Sequence, residues 1–143
     1  PRAVIADTAA LRTLPPRGLR AGRAVLLAAP ARYADYAKAF ATQAGLDREQ
    51  AGEMVEALRR LGIDVHAVSM PDVAPMLRQA ALFVHSADDR IVPIADAEES
   101  AAAWPGARLL RLEGLGHRRI LQSPEVIAAV SQFIAAPTGA RSA

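Results

Sequence analysis

The chain has no cysteine. That excludes disulfides, thiolate metal sites and a cysteine nucleophile, and it fits a cytoplasmic protein. Aromatic residues make up 4% of the sequence, with a single tryptophan, so no aromatic platform for stacking bases is expected. The three histidines stand apart, without HxxH or HExxH spacing, and no metal site is expected. No apolar run reaches the ~18 residues a membrane span needs. The apolar AVIA near the start is too short for the core of a signal peptide. The first residue is Pro1, which fits removal of an initiator methionine or a piece of a longer protein. Neither sign of charge dominates: 17 basic residues against 15 acidic ones give a net charge of +2. The arginines are scattered, and nucleic acid is not an expected partner.

What is present is apolar and periodic. Hydrophobic residues are 52% of the 143, too many for a disordered chain and enough for one domain with a real core. Short apolar runs at 3–6, 24–28, 81–85 and 108–112 have the length and residue types of buried parallel strands. Helical patterns lie between them. Tyr33, Tyr36, Ala37, Phe40, Ala41 and Ala44 recur at helical spacing up to Gly45. Asp47 and Gln50 form a capping-box pair before Ala51, Met54, Val55, Leu58 and Leu61. Ser69 and Pro71 open a short helix that Pro75 limits. Ser123 and Pro124 open a last helix with Val126, Ile127, Val130, Phe133 and Ile134 on its apolar side. Strands alternating with helices predict an α/β fold: a parallel sheet of about four strands flanked by helices.

Two loops carry candidate chemistry. ALFVHSADDRIVP at 81–93 is a strand ending in a small residue and two aspartates. LLRLEGLGHRRI at 109–120 is a strand ending in a glycine-flanked histidine. At the carboxyl ends of neighbouring parallel strands, an aspartate can orient an imidazole whose other nitrogen acts as base. Asp89 and His117 are 28 residues apart, the length of one crossover helix and one strand. Read singly, either aspartate could be a helix cap and the histidine a solvent-facing turn residue.

Here the sequence resembles the α/β-hydrolase superfamily, in its carboxyl-terminal half. ADDRIVP resembles the acid loop, LEGLGHRRIL the histidine loop, and AWPGARLLRLEGLGH and SPEVIAAVSQFI the elements around them; VLLAAPA resembles the strand before the cap. Ser86 stands where the family more often has glycine. The resemblance implies Asp89 as the acid, His117 as the base, and a cap-like helical insertion over 31–79. It implies a hydrolase of ester or related acyl bonds, a small-molecule acyl substrate and no cofactor. The family's nucleophile elbow, G-x-S-x-G, is missing. Ala6-Asp7-Thr8-Ala9-Ala10 follows the first apolar run, which puts Thr8 at a degenerate nucleophile position. Its β-branched methyl would crowd such an elbow, so Thr8 is expected to be a poor nucleophile; in the alternative it caps the next helix. The competing readings are a catalytically inactive remnant, binding a small ligand or a protein, and a flavodoxin-like domain. The apolar first strand, with one bare edge, makes a homodimer through it an expectation. His85 is expected to be structural, His66 to have no partner nearby in sequence, and Trp104 and the two tyrosines to be packing residues and not a cofactor box.

Overall fold

The computed structural model describes residues 3–5, 22–67 and 69–136. Four parallel strands, β1 (Ala3–Ile5), β2 (Arg23–Leu27), β3 (Ala80–Ser86) and β4 (Ala107–Leu112), lie in sequence order. Alternation along the strands explains why both faces need cover. Ala24, Leu26, Ala81 and Phe83 point to one face, where they meet Met70, Ala74 and Trp104. Val25, Leu82, Val84 and Leu112 point to the other, against Ile120, Val126 and Phe133. The first face is covered by α3 (Met70–Val73), with the 3₁₀ turn Ala74–Met76 behind it, and by α4 (Ile94–Ala103). The second is covered by α6 (Pro124–Ala135), reached through the short α5 (Gly116–Arg119) and the 3₁₀ turn Ile120–Gln122.

Between β2 and β3 the chain makes a helical excursion: α1 (Tyr33–Gln43), α2 (Arg48–Arg60) and the 3₁₀ turn Val65–Ala67. The excursion is pinched at its neck. Arg32 and Ser69 form an antiparallel bridge, and Met70 N donates to Ala31 O at 2.8 Å. The neck is anchored to α4: Ala31 N donates to Asp96 Oδ2, and Arg32 clasps Glu99 with both guanidinium nitrogens. The expected capping box is present: Gln50 N donates to Asp47 Oδ1, and Asp47 N donates to the Gln50 side chain.

Three expectations about helix faces need correcting. Phe40 is 53% exposed and α1 buries only Ala37 and Ala41, because the two alanines let the helix approach along one narrow line. Ile127 is 55% exposed; the stripe through Val126, Val130 and Phe133 leaves it about 100° round the helix. Ser69 and Ser123 stand at N-cap positions, but neither side chain makes the capping bond.

One charged residue serves the fold. Arg23, buried on β2, donates through Nη1 to Phe133 O and through Nη2 to Ala136 O. It also lies over the Phe133 ring at 5.1 Å. It thus satisfies carbonyls at the end of α6 that no turn of helix follows, and complements the negative end of the helix dipole.

Candidate active site

The site is set by the register of β3 and β4. Ser86 pairs with Leu112, and Ala87 N donates to Leu112 O at 2.7 Å, so the two loops leave the sheet at the same level. The loop after β3 folds back on itself around Asp89. Asp89 N donates to Ser86 O, and its Oδ1 accepts from Ile91 N at 2.8 Å and Val92 N at 3.0 Å. This Asx-type turn fixes the carboxylate and buries it: the Asp89 side chain has no exposed surface. Its other oxygen, Oδ2, meets His117 Nδ1 at 2.8 Å. A carboxylate bound to two amides can only accept here, so Nδ1 carries the proton and Nε2 is left as an acceptor. The structure therefore brings Asp89 and His117 together. Thr8 lies outside the described residues.

Ser86 and Asp88 have a different task, which the sequence reading missed. Ser86 Oγ accepts from Leu115 N and Gly116 N, both at 3.2 Å, and donates to Asp88 Oδ1. Asp88 Oδ1 also accepts from Gly114 N at 2.9 Å and Gly116 N at 3.2 Å. The two side chains thus fasten the glycine turn that carries His117. Gly114 and Gly116 hold φ of +77° and +57°, backbone that favours glycine. The signal was in the sequence: a second aspartate, and a serine where glycine is commoner.

The Ser86 hydroxyl, followed by the Gly116 amide, holds the Asp88 carboxyl below its ordinary value of 3.8. A depressed carboxyl adds stability that is complete above the unfolded-state value and is lost as pH falls through the folded-state one. The fastening is therefore expected to hold above about pH 4 and to loosen below it. Hydrogen exchange checks this. In Asp88→Ala the Gly114 and Gly116 amides should exchange roughly fivefold faster at neutral pH, the loss of one ordinary hydrogen bond. Unchanged exchange there would remove Asp88 from this role.

His85, also buried, donates through Nε2 to Val92 O at 2.9 Å and lies 3.5 Å from Asp89 Oδ2. It ties the far end of the acid loop to β3, the structural role expected of it. Trp104 fills the core, and the half-buried Tyr33 and Tyr36 pack ring against ring at 6.4 Å. Tyr33 and Tyr36 line a hollow of about 660 Å³, with Leu27, Ala28, Pro30, Val92, His117 and Leu121. The volume falls in the ~300–1,000 Å³ range of small-molecule sites. Its floor includes Ala28, at the end of β2, in left-handed backbone with φ +47° and with its N–H on Val84 O. The hollow is mostly apolar, with His117, Arg118 and Gln122 at its edge. Among the described residues no group of three histidine or acidic side chains could hold a metal, and no helix is long and apolar enough to cross a membrane.

Neither a protein-family model nor a curated relative matches the chain. Solved structures do. A non-heme bromoperoxidase candidate from Mycobacterium tuberculosis matches with a TM-score of 0.61 and 19% identity, over 98% of this chain and 68% of its own. The esterase domain of a Rhodothermus marinus protein matches at 0.58 and 19% identity, over 94% and 57%. An esterase from a Rhodococcus species matches at 0.57 and 17% identity, over 83% and 58%. This is the α/β-hydrolase fold. The chain fits its carboxyl-terminal half, and spans 57–68% of the length of these three structures.

Proposed function

We propose that this chain supplies the acid–base pair of a hydrolase acting on ester or related acyl bonds. The observation that carries the reading is the Asp89–His117 contact of 2.8 Å, on a histidine that also lines the 660 Å³ hollow. In this reading His117 Nε2 takes a proton from the attacking hydroxyl and later returns it to the leaving group. Asp89 holds the ring in the tautomer that makes this possible and stabilises the imidazolium in between. The hollow beneath Tyr33 and Tyr36 takes the apolar part of an acyl substrate, and the excursion between Arg32 and Ser69 acts as its cap. The attacking hydroxyl is Thr8 or belongs to another segment or polypeptide. β1 ends the sheet among the described residues. Its rim is where a second copy, or a polypeptide bringing further strands, would join.

A second reading is a non-catalytic module that binds a ligand in the same hollow. It is favoured by one observation, the lack of any G-x-S-x-G in the sequence. Hydrolysis of p-nitrophenyl acetate and butyrate separates the two. Turnover by the parent that disappears in His117→Ala supports the hydrolase. Absence of turnover, or turnover indifferent to that substitution, supports the binding module. Sedimentation in the same buffer reports whether the active species is a dimer.

A further inference from the structure

The apolar hollow does not end at His117. A second one, of about 460 Å³, opens on the other side of the histidine, and the two share His117 and Arg118 as their dividing ridge. The second is richer in charge. Its lining holds three arginines, Arg90, Arg118 and Arg119, one carboxylate, Asp88, and the apolar Ile91 and Leu115. Asp88 is already committed to Ser86 and to the amides of Gly114 and Gly116. Arg119 spends Nε on Leu115 O and Nη2 on Gly114 O, bracing the histidine turn. Arg90 and Arg118 have no hydrogen bond or ion pair with any described residue.

Among the described residues most other guanidinium groups are used. Arg32, Arg59, Arg60 and Arg111 pair with carboxylates, Arg23 and Arg78 donate to backbone carbonyls, and Arg108 lies over the Phe133 ring. Arg48 is also unpaired, but it lines neither hollow. Of the described guanidinium groups without such a partner, Arg90 and Arg118 are the two that line a hollow beside the candidate base. Guanidinium forks match the planar or tetrahedral oxygens of carboxylate and phosphate, and a concave wall with an excess of positive charge concentrates counter-charge.

We propose that the hollow at Arg90 and Arg118 binds an anionic group, a carboxylate or a phosphate, carried by a ligand whose apolar part lies in the neighbouring hollow. For the position of the bond being cleaved, this rests on the hydrolase reading: the scissile carbonyl then sits at the ridge, beside His117. The anion site itself rests only on the arginines. The substrate class is accordingly an amphiphilic ester or thioester with one anionic end. The charge attracts the substrate and sets its direction, while the apolar hollow accepts chains of varied length.

Binding can be measured without turnover. Hexyl phosphate, monohexyl succinate and hexan-1-ol share one alkyl chain and differ in charge. By calorimetry at about 20 mM salt, where exposed charges are little screened, at least one of the two anions should bind roughly tenfold or more tighter than the alcohol. The Arg90→Gln, Arg118→Gln double variant should lose that advantage; Arg90→Gln alone, outside the apolar hollow, should reduce it and leave hexan-1-ol binding unchanged, and Arg48→Gln should leave both as they are. Phosphate and succinate arms tell which anion is preferred. Equal affinity for alcohol and anions, or a preference that survives the double substitution, overturns the proposal. The two readings fail separately. Anion binding without ester turnover keeps the anion site and removes the hydrolase. His117-dependent turnover with no anion preference does the reverse.

Discussion

Asp89→Asn should lower ester turnover by roughly 10³- to 10⁴-fold while leaving the chain folded, the effect known for a triad aspartate replaced by its amide. The cause lies in one proton. The carboxylate accepts from Nδ1, which leaves Nε2 with the lone pair that the proposed hydrolysis needs. An asparagine amide can keep Oδ1 on the Ile91 and Val92 amides, and then its NH₂ faces His117. Nδ1 must now accept, the proton moves to Nε2, and the base is gone. The same substitution removes the charge that stabilises the imidazolium. Turnover of p-nitrophenyl butyrate, with far-UV circular dichroism as the check on folding, measures it. A loss below tenfold in a folded variant would mean that Asp89 does not orient a working base.

The largest effect on stability is expected at Trp104. Its side chain is 2% exposed, packs edge-on against Phe83 at 6.0 Å, and donates Nε1–H to Gln79 O at 2.9 Å. Trp104→Ala opens a cavity on one face of the sheet and strips Gln79 O of its donor. Core aromatic truncations cost about 3–5 kcal/mol. Set against the ~5–15 kcal/mol that holds a typical domain together, this brings the chain close to unfolding. Urea denaturation followed by circular dichroism should show the midpoint fall steeply. Trp104→Phe keeps most of the burial and should lose less, about 1–3 kcal/mol for the orphaned carbonyl and the smaller ring. Trp104 is the only tryptophan, so fluorescence of the parent reports this core alone. An alanine variant with the parent's midpoint would mean that this core contributes little to stability.

The parts of this molecule that were legible in the sequence are those set by local rules. Apolar runs placed the strands within a residue or two, because a strand buried on both faces can be built of little else. The Asp47–Gln50 box was legible because its two bonds span only three residues. Asp89 and His117 were legible as a pair because β3 and β4 are neighbours in register, which the 28-residue spacing already implied. What was not legible depends on how closely elements approach. The sequence does not say that α1 buries only its two alanines, Ala37 and Ala41, and leaves Phe40 outside. Nor does it say that Tyr33 and Tyr36 line the hollow beside His117. Ser86 read as a slight departure from glycine, yet its hydroxyl is the centre of the histidine turn's fastening, a tertiary bond set across 29 and 30 residues.

The rung between Ser86 and Leu112 has one more consequence. Loops that carry chemistry usually open more readily than the scaffold beneath them. Here the first peptides of both loops are still bonded to the sheet, and side chains from one loop lock the backbone of the other. The acid, the base and the last rungs of β3 and β4 therefore form one cooperative unit. They are expected to open together, when the sheet does.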